Sequence, residues 1–530
     1  MTAVEAGGPA LADQVRALLA ERADVSQSSG HAVSINVAVE DLPDVCARVQ
    51  HGLRAALATM VGYDDRSQSG SYRLTYVFAA SAGWVSVETA VDPRSPAFPS
   101  VTPRLPAAHW YEREVHDMLG LVPEGHPDPR RLVLHDDWPA GVHPLRKDFD
   151  PLVPVPRVDN PPYRFHQLHG EGIVEIPVGP IHAGVIEPGH FRFAAVGEVV
   201  LHLETRLFFT HRGIEKLAEG KSAEQVLPLA EHICGACALS HAVAYCQAVE
   251  ALAGAAVPPR AAAVRSLLLE LERLYNHVGD LGNLCAGVGF AVGTSHGAWL
   301  KEQLQRLNER IAGHRFLRGV CQLGGVRRDV DADAAADITH TLQQVQREFE
   351  RFIELLLRTE SVMERFTGTG RLDTESATAL GAVGVAARAS GVSGDLRKDH
   401  PYAAYGTLSI PDVVQPDGDV RARAQVRIDE TRAAFALAMH LVASLPEGPT
   451  TTSLAPLPPF ATALGFTESP RGSNVHWIRT GQNGTIDRYR IRSASYCNWP
   501  VVALAVPGNM VPDFPLINKS FELCYACLDR

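Results

Sequence analysis

Three short runs near the start of the chain alternate apolar and polar residues: His31-Ala-Val-Ser-Ile-Asn-Val-Ala-Val39, Tyr72-Arg-Leu-Thr-Tyr-Val-Phe78 and Gly83-Trp-Val-Ser-Val-Glu-Thr89. A period of two marks strands with one buried face, and the spacing over Leu42–Val61 predicts a helix beside them. Residues 31–150 are therefore expected to form a small α/β domain, preceded over residues 1–30 by a polar tail and a short amphipathic helix around Ala12–Glu21. Pro151–Pro162 holds five prolines and few large apolar residues, so it cannot sustain a helix. It predicts a semi-rigid linker, about 151–165, and a domain boundary. Beyond it, Gly172–Pro180, Phe191–Phe193 and Val199–Glu204 read as strands. The period then becomes helical, with long helices expected at about 223–254, 259–290, 297–315, 333–366 and 420–444. Tyr489–Ser495 and Asn498–Ala505 read as short strands. The fold class is α+β: a small α/β domain followed by a large, mainly helical one over residues 166–530.

Composition narrows the function classes. At 46% hydrophobic and 21% charged residues the chain is an ordinary globular protein, and its net charge of −11 argues against a general nucleic-acid surface. The N-terminus lacks a basic stretch followed by an apolar core, and no run of about 18 apolar residues could span a bilayer. The sequence predicts a cytoplasmic chain. Its nine irregularly spaced cysteines then favour thiols or metal ligands over a disulfide framework.

Two cysteine pairs carry the candidate chemistry: Cys234-Gly-Ala-Cys237 and Cys524-Tyr-Ala-Cys527. A helix starting behind such a pair lowers thiol pKa through its dipole and unpaired N–H groups, which favours thiolate ligands. Four soft thiolates suit structural zinc, an iron–sulfur cluster, or nickel with iron. Zinc modules usually space their pairs within a few tens of residues, whereas these bracket a whole helical domain. Cys46, Cys246, Cys285, Cys321 and Cys497 are scattered and read as buried small hydrophobes.

Three motifs in the first domain are His109-Trp-Tyr-Glu-Arg-Glu-Val-His-Asp-Met-Leu-Gly120, Gly125-His-Pro-Asp-Pro-Arg-Arg131 and His143-Pro-Leu-Arg-Lys-Asp148. In this order they resemble the hydrophilic C subunit of respiratory complex I and its hydrogenase counterparts. Their charged residues are expected to form docking surface. In the second domain the order is Gly179-Pro-Ile-His182, Glu187-Pro-Gly-His-Phe-Arg192, His211-Arg-Gly-Ile-Glu-Lys216, the first cysteine pair, Glu468-Ser-Pro-Arg-Gly472 and the second pair. This set resembles the large subunit of nickel–iron hydrogenases of the complex-I-related, membrane-associated group, to which formate hydrogenlyase belongs.

The resemblance implies a centre of nickel with an iron carrying carbonyl and cyanide. Cys234 and Cys524 would be terminal nickel ligands, and Cys237 and Cys527 would bridge the metals. Arg471 would overhang them, Glu187 would relay protons, and Glu215 would ligate a magnesium ion. The plain alternatives are a loop carboxylate for Glu187 and an ion pair with Lys216 or Arg212 for Glu215. It further implies reversible formation of dihydrogen and an iron–sulfur small subunit as electron partner. Membrane-arm subunits, and a formate dehydrogenase where the system is formate-linked, would complete an assembly seated on the inner face of the membrane. Two neighbours depart from the family pattern: His232 stands for the usual Arg, and Glu522-Leu523 for Asp-Pro. An end at Arg530 fits a processed chain or a gene that encodes no extension. The main rival is a fused C/D subunit of a complex-I-like NADH:quinone oxidoreductase without nickel. In it Tyr245 would be the quinone tyrosine, but the histidine expected four residues beyond His182 is Ile186. A zinc-bearing assembly protein is the third reading.

Overall fold

The computed structural model describes residues 11–19, 24–27, 32–182 and 186–530. The tail over residues 1–10, the end of the predicted first helix and His31 lie outside them; the helix itself is Leu11–Leu19. The chain divides into two compact units. One runs to Tyr163 and takes in Ala379–Gly381; the other comprises Arg164–Thr378 and Ala382–Arg530.

The first unit is built on a five-stranded sheet ordered Asp24–Gln27, Ala32–Asn36, Gly83–Val91, Ser71–Ala80, Ala56–Asp65. The pairings are antiparallel except that between the 32–36 and 83–91 strands. The helix expected to reach Val61 stops at Leu53, because Arg54 turns into the left-handed region (φ 50°). Residues 56–65 are a strand. Nearly every position of that strand is buried, so no alternation marks it.

Helix His109–Leu119 also departs from the sequence expectation. Its charged residues are not docking surface: Glu112, Arg113, Glu114 and Asp117 are buried. Glu112 accepts from Tyr76 Oη (2.9 Å), Val101 N (2.7 Å) and Thr102 Oγ1 (2.7 Å). Asp117 accepts from the N–H groups of Leu132, Val133 and Leu134 at 2.8–3.1 Å, and Arg113 donates to the carbonyls of Arg130 and Arg131. Buried charges persist where such partners satisfy them. The motif ties the irregular segment 128–134 to the helix.

The second unit opens with a three-stranded antiparallel sheet, Ile173–Val178, His190–Val196 and Val199–Arg206. The predicted 223–254 helix is two helices, Ala223–Glu231 and Ala238–Leu252, parted by the first cysteine loop. Helix Pro259–Gly287 forms the spine of the unit. It packs on Ala291–Ala312, where Gly282 meets Gly297 so closely that a Cβ on Gly282 would sit 2.9 Å from the Gly297 Cα. Helices Ala332–Arg358, Glu360–Phe366 and Val420–Ala443 complete this part. A second antiparallel sheet, Thr462–Ser469, Gly472–Thr480 and Ile486–Arg492, follows. Its first two strands escape sequence reading, since the middle one is buried along its whole length. Residues 494–505 are a helix, not a strand, capped by the Ser493 side chain on Tyr496 N.

Candidate metal centre

The two cysteine loops converge. The chain leaves helix 223–231 at His232, turns through Cys234, and restarts as a helix directly after Cys237. Cys524 likewise precedes the short helix Tyr525–Asp529, which contains Cys527. All four sulfurs lie within 4.8 Å of one another, with Cys234, Cys237 and Cys527 buried and Cys524 half-buried. Hydrogen bonding from Cys237, and then from Cys524 and Cys527, holds the Cys234 thiol well below its ordinary pKa, while burial pushes Cys527 up. Four thiolates this close repel one another unless a cation of charge two or more lies among them. The donor set therefore fits a soft metal.

Backbone groups around the sulfurs are fixed by side chains from distant parts of the chain. Arg212 donates to the carbonyls of His232, Ile233 and Ala526, each at 2.8 Å, and so links the two loops. Ser495 Oγ accepts from Cys524 N at 3.0 Å, Ser493 Oγ donates to Cys527 O, and Asn276 Nδ2 donates to Ala236 O at 2.7 Å. Glu272 caps the helix behind Cys237, accepting from Leu239 N (2.8 Å), Ser240 N (3.1 Å) and Ser240 Oγ. Burial raises its pKa to about 7.

Arg471 occupies the tight turn between strands 462–469 and 472–480. Its guanidinium grips Asp280 through both terminal nitrogens, one of them 2.9 Å from Oδ1, and Arg427 adds a contact to the same carboxylate at 3.2 Å. These arginines hold the Asp280 carboxyl well below its usual range against burial. Gly384 makes the turn possible: it has φ +63°, and a Cβ there would lie 2.3 Å from the Gly472 Cα. Glu522, one of the family departures, adopts a left-handed conformation (φ 51°). It accepts from Asn283 at 2.5 Å, and burial pushes its pKa up to about 7, with Asp280 adding to the rise.

Glu187 is exposed, yet one oxygen turns inward to accept from Ala526 N at 2.7 Å, between the cysteines of the second pair. Desolvation of that inward face and the neighbouring Cys524 raise its pKa. Glu215 is engaged by arginines. It meets Arg488 (2.8 Å), Arg530 (2.9 Å) and Arg490 (3.4 Å), and accepts from Ile491 N at 2.9 Å. Three guanidiniums around one carboxylate leave a positive pocket that does not fit magnesium. Of the local cations, Lys216 bonds Glu219 at 3.0 Å, and Arg212 bonds the loop carbonyls.

Sequence reading missed Asp280, Glu272 and a line of buried rings beside Cys527. His241 Nε2 lies 3.4 Å from Cys527 Sγ, and its Nδ1 is 2.9 Å from His476 Nε2. His241 stands four residues after Cys237, one helical turn on, which is a spacing that could have flagged it. Tyr245 is buried with its hydroxyl committed to Ala223 O at 2.8 Å, so the quinone-tyrosine role finds no support in this geometry.

The fold and the four-cysteine site together define an oxidoreductase of the class that links complex I to nickel-dependent hydrogenases. Residues 35–153 match the family model of the respiratory-chain NADH dehydrogenase 30 Kd subunit, and residues 288–459 and 452–530 match the 49 Kd subunit. Residues 212–286, which hold the first cysteine pair, match the nickel-dependent hydrogenase model. The chain is 40% identical to formate hydrogenlyase subunit 5 of Escherichia coli (strain K12), covering 94% of this chain and 89% of that one. It is 39% identical to hydrogenase-4 component G of the same organism, covering 96% and 90%. Among solved structures it resembles a chain of the membrane-bound sulfane sulfur reductase, an archaeal respiratory membrane complex. That match has a TM-score of 0.64 and 26% identity, covering 68% of this chain and 99% of that one. The chain belongs to the family of complex-I-related hydrogenase large subunits in which a 30 Kd-like segment precedes a 49 Kd-like one.

Proposed function

We propose that this protein is the catalytic large subunit of a membrane-associated nickel–iron hydrogenase that forms and oxidises dihydrogen. The observation that carries the reading is the convergence of four cysteine sulfurs within 4.8 Å, in a chain whose relatives are hydrogenase subunits. When bound, a nickel–iron centre supplies Lewis acidity and redox capacity for cleaving dihydrogen heterolytically. Cys234 and Cys524 would be terminal ligands to nickel, and Cys237 and Cys527 would bridge to an iron bearing carbonyl and cyanide.

The remaining chemistry is the chain's own. Arg471, fixed by Asp280, presents a rigid positive charge whose orientation needs no rearrangement during turnover. Glu187, bonded to the backbone between Cys524 and Cys527 and raised in pKa, is suited to hold a proton on its carboxylate beside the second cysteine pair and pass it to water. Electrons would pass to a separate iron–sulfur subunit, because the five other cysteines are buried and none belongs to a metal-holding group among the described residues. No helix among the described residues is long and apolar enough to cross a membrane. Attachment to the inner face of the membrane would thus come from partner subunits, with formate dehydrogenase as one candidate donor.

Metal analysis of anaerobically purified protein from a maturation-competent host tests the reading. Nickel and iron near one per chain are expected, with infrared bands of iron-bound carbonyl and cyanide. Cys527→Ser should abolish hydrogen turnover and leave residues 35–153 folded. Zinc alone in the parent protein would overturn the proposal.

A further inference from the structure

Glu522 stands just ahead of the second cysteine pair, and two side chains from neighbouring helices hold its carboxyl group. Asn283, on helix 259–287, donates from Nδ2 to Glu522 Oε1 at 2.5 Å. Lys519 lies on helix Phe514–Phe521, which leads into the second cysteine loop. Its Nζ donates to Asn283 Oδ1 at 2.7 Å. Asn283, Lys519 and Glu522 are each half-buried.

Chemistry fixes which way the amide points. An ammonium has hydrogens to give and no lone pair to receive one, so the atom facing Lys519 is the amide oxygen. Nδ2 with its two hydrogens then faces Glu522. That side chain presents an oxygen lone pair whether or not it carries a proton, so the bond does not depend on its titration. Asn283 follows Asp280 by three residues, which puts both on one face of the helix. Asp280 binds both Arg471 and Arg427, whereas Glu522 contacts neither arginine among the described residues. Both arginines nevertheless attract the Glu522 carboxylate through space, Arg471 more strongly.

We propose that Asn283, oriented by Lys519, is a positioning residue that keeps Glu522 off Arg471, so that Arg471 stays on Asp280. A guanidinium–carboxylate bond is stronger than an amide–carboxylate one. Without the amide, Glu522 turns to Arg471 and competes with Asp280 for it. Arg471 then has two acids to follow and loses the single orientation that its role requires. The effect on turnover rests on the hydrogenase reading; the placement of Glu522 does not.

Two readings on the full-length enzyme test this. In a crystal structure of Asn283→Leu, Glu522 should lie within hydrogen-bond distance of Arg471. In hydrogen turnover, Asn283→Leu should keep parental nickel and be slower by about 10–100-fold. Adding Glu522→Gln should restore most of that rate, because a neutral amide has no charge with which to draw Arg471. An asparagine that merely fills space would show no such rescue. Should Asn283→Leu fail to fold, Lys519→Met, which frees the amide to turn over, decides by the same two readings. Glu522 still apart from Arg471 would overturn the proposal, as would a double variant no faster than the single one. A parent enzyme without nickel would overturn the hydrogenase reading instead, and the crystal structure would then decide the placement alone.

Discussion

Glu272 shows how a single buried carboxylate both builds and burdens the centre. It caps the helix that begins at Cys237, but it does so where water cannot reach it. Burial lifts its pKa from 4.5 to about 7, outweighing the N–H and O–H donors from Leu239 and Ser240. Between these values the folded chain holds a proton that the unfolded chain has lost. Stability conferred at low pH is therefore lost as pH rises through this window, by about 3 kcal/mol in total, and is level above it. Glu272→Gln removes the titration. Apparent melting temperatures at pH 5 and pH 7.5 should differ less in the variant than in the parent; a parent that gains stability over this interval would contradict the assignment. At this scale the cysteines and Arg471 were legible in the sequence, because a local motif announces each. Their supports were not. Asp280 meets Arg471 across 191 residues, and Glu272 meets Ser240 from another helix, so no spacing rule connects them.

At the scale of elements, the centre depends on holding two loops that belong to different ends of the second unit. Arg212 does this with three bonds to main-chain carbonyls, two on the first loop and one on the second. Charge-assisted bonds of this kind are worth more than neutral ones, and a planar guanidinium reaches several acceptors that an ammonium cannot. Arg212→Lys should lower nickel per chain and raise the rate of metal loss to a chelator, with little change in the fold of residues 35–153. Unaltered metal retention would show that the loops hold themselves. The long helices were legible because their apolar stripes repeat over many turns. The strands at 56–65 and 472–480 were not, since burial on both faces erases the alternation that marks a strand. The first cysteine loop hid for a related reason: apolar residues continue through Ile233 and Ala236, so the helical pattern runs on across a break.

Across the whole chain, the two-part order of a complex-I-like segment followed by a hydrogenase-like one could be read from motif order. What the folded second unit does with its last residues could not. Asp529 accepts from Phe208 N and from Thr210 N and Oγ1, and the Arg530 carbonyl accepts from Arg212 N at 2.7 Å. The Arg530 side chain then runs inward over the Tyr496 ring to Glu215 and the Ile491 carbonyl. A divalent cation bridging Glu215 to this segment would do the same mechanical work, but it could not sit among Arg488, Arg490 and Arg530. Their combined charge repels it, whereas the Arg530 guanidinium already neutralises the carboxylate while bonding two other acceptors. Purified enzyme should thus lack stoichiometric magnesium, and EDTA should leave its melting temperature and turnover unchanged. Arg530→Ala should destabilise the second unit by about 3 kcal/mol, the usual cost of breaking a buried ion pair, and added magnesium should not restore it. Magnesium near one per chain, with activity lost on its removal, would show instead that Glu215 is a metal ligand and that the arginines rearrange around it.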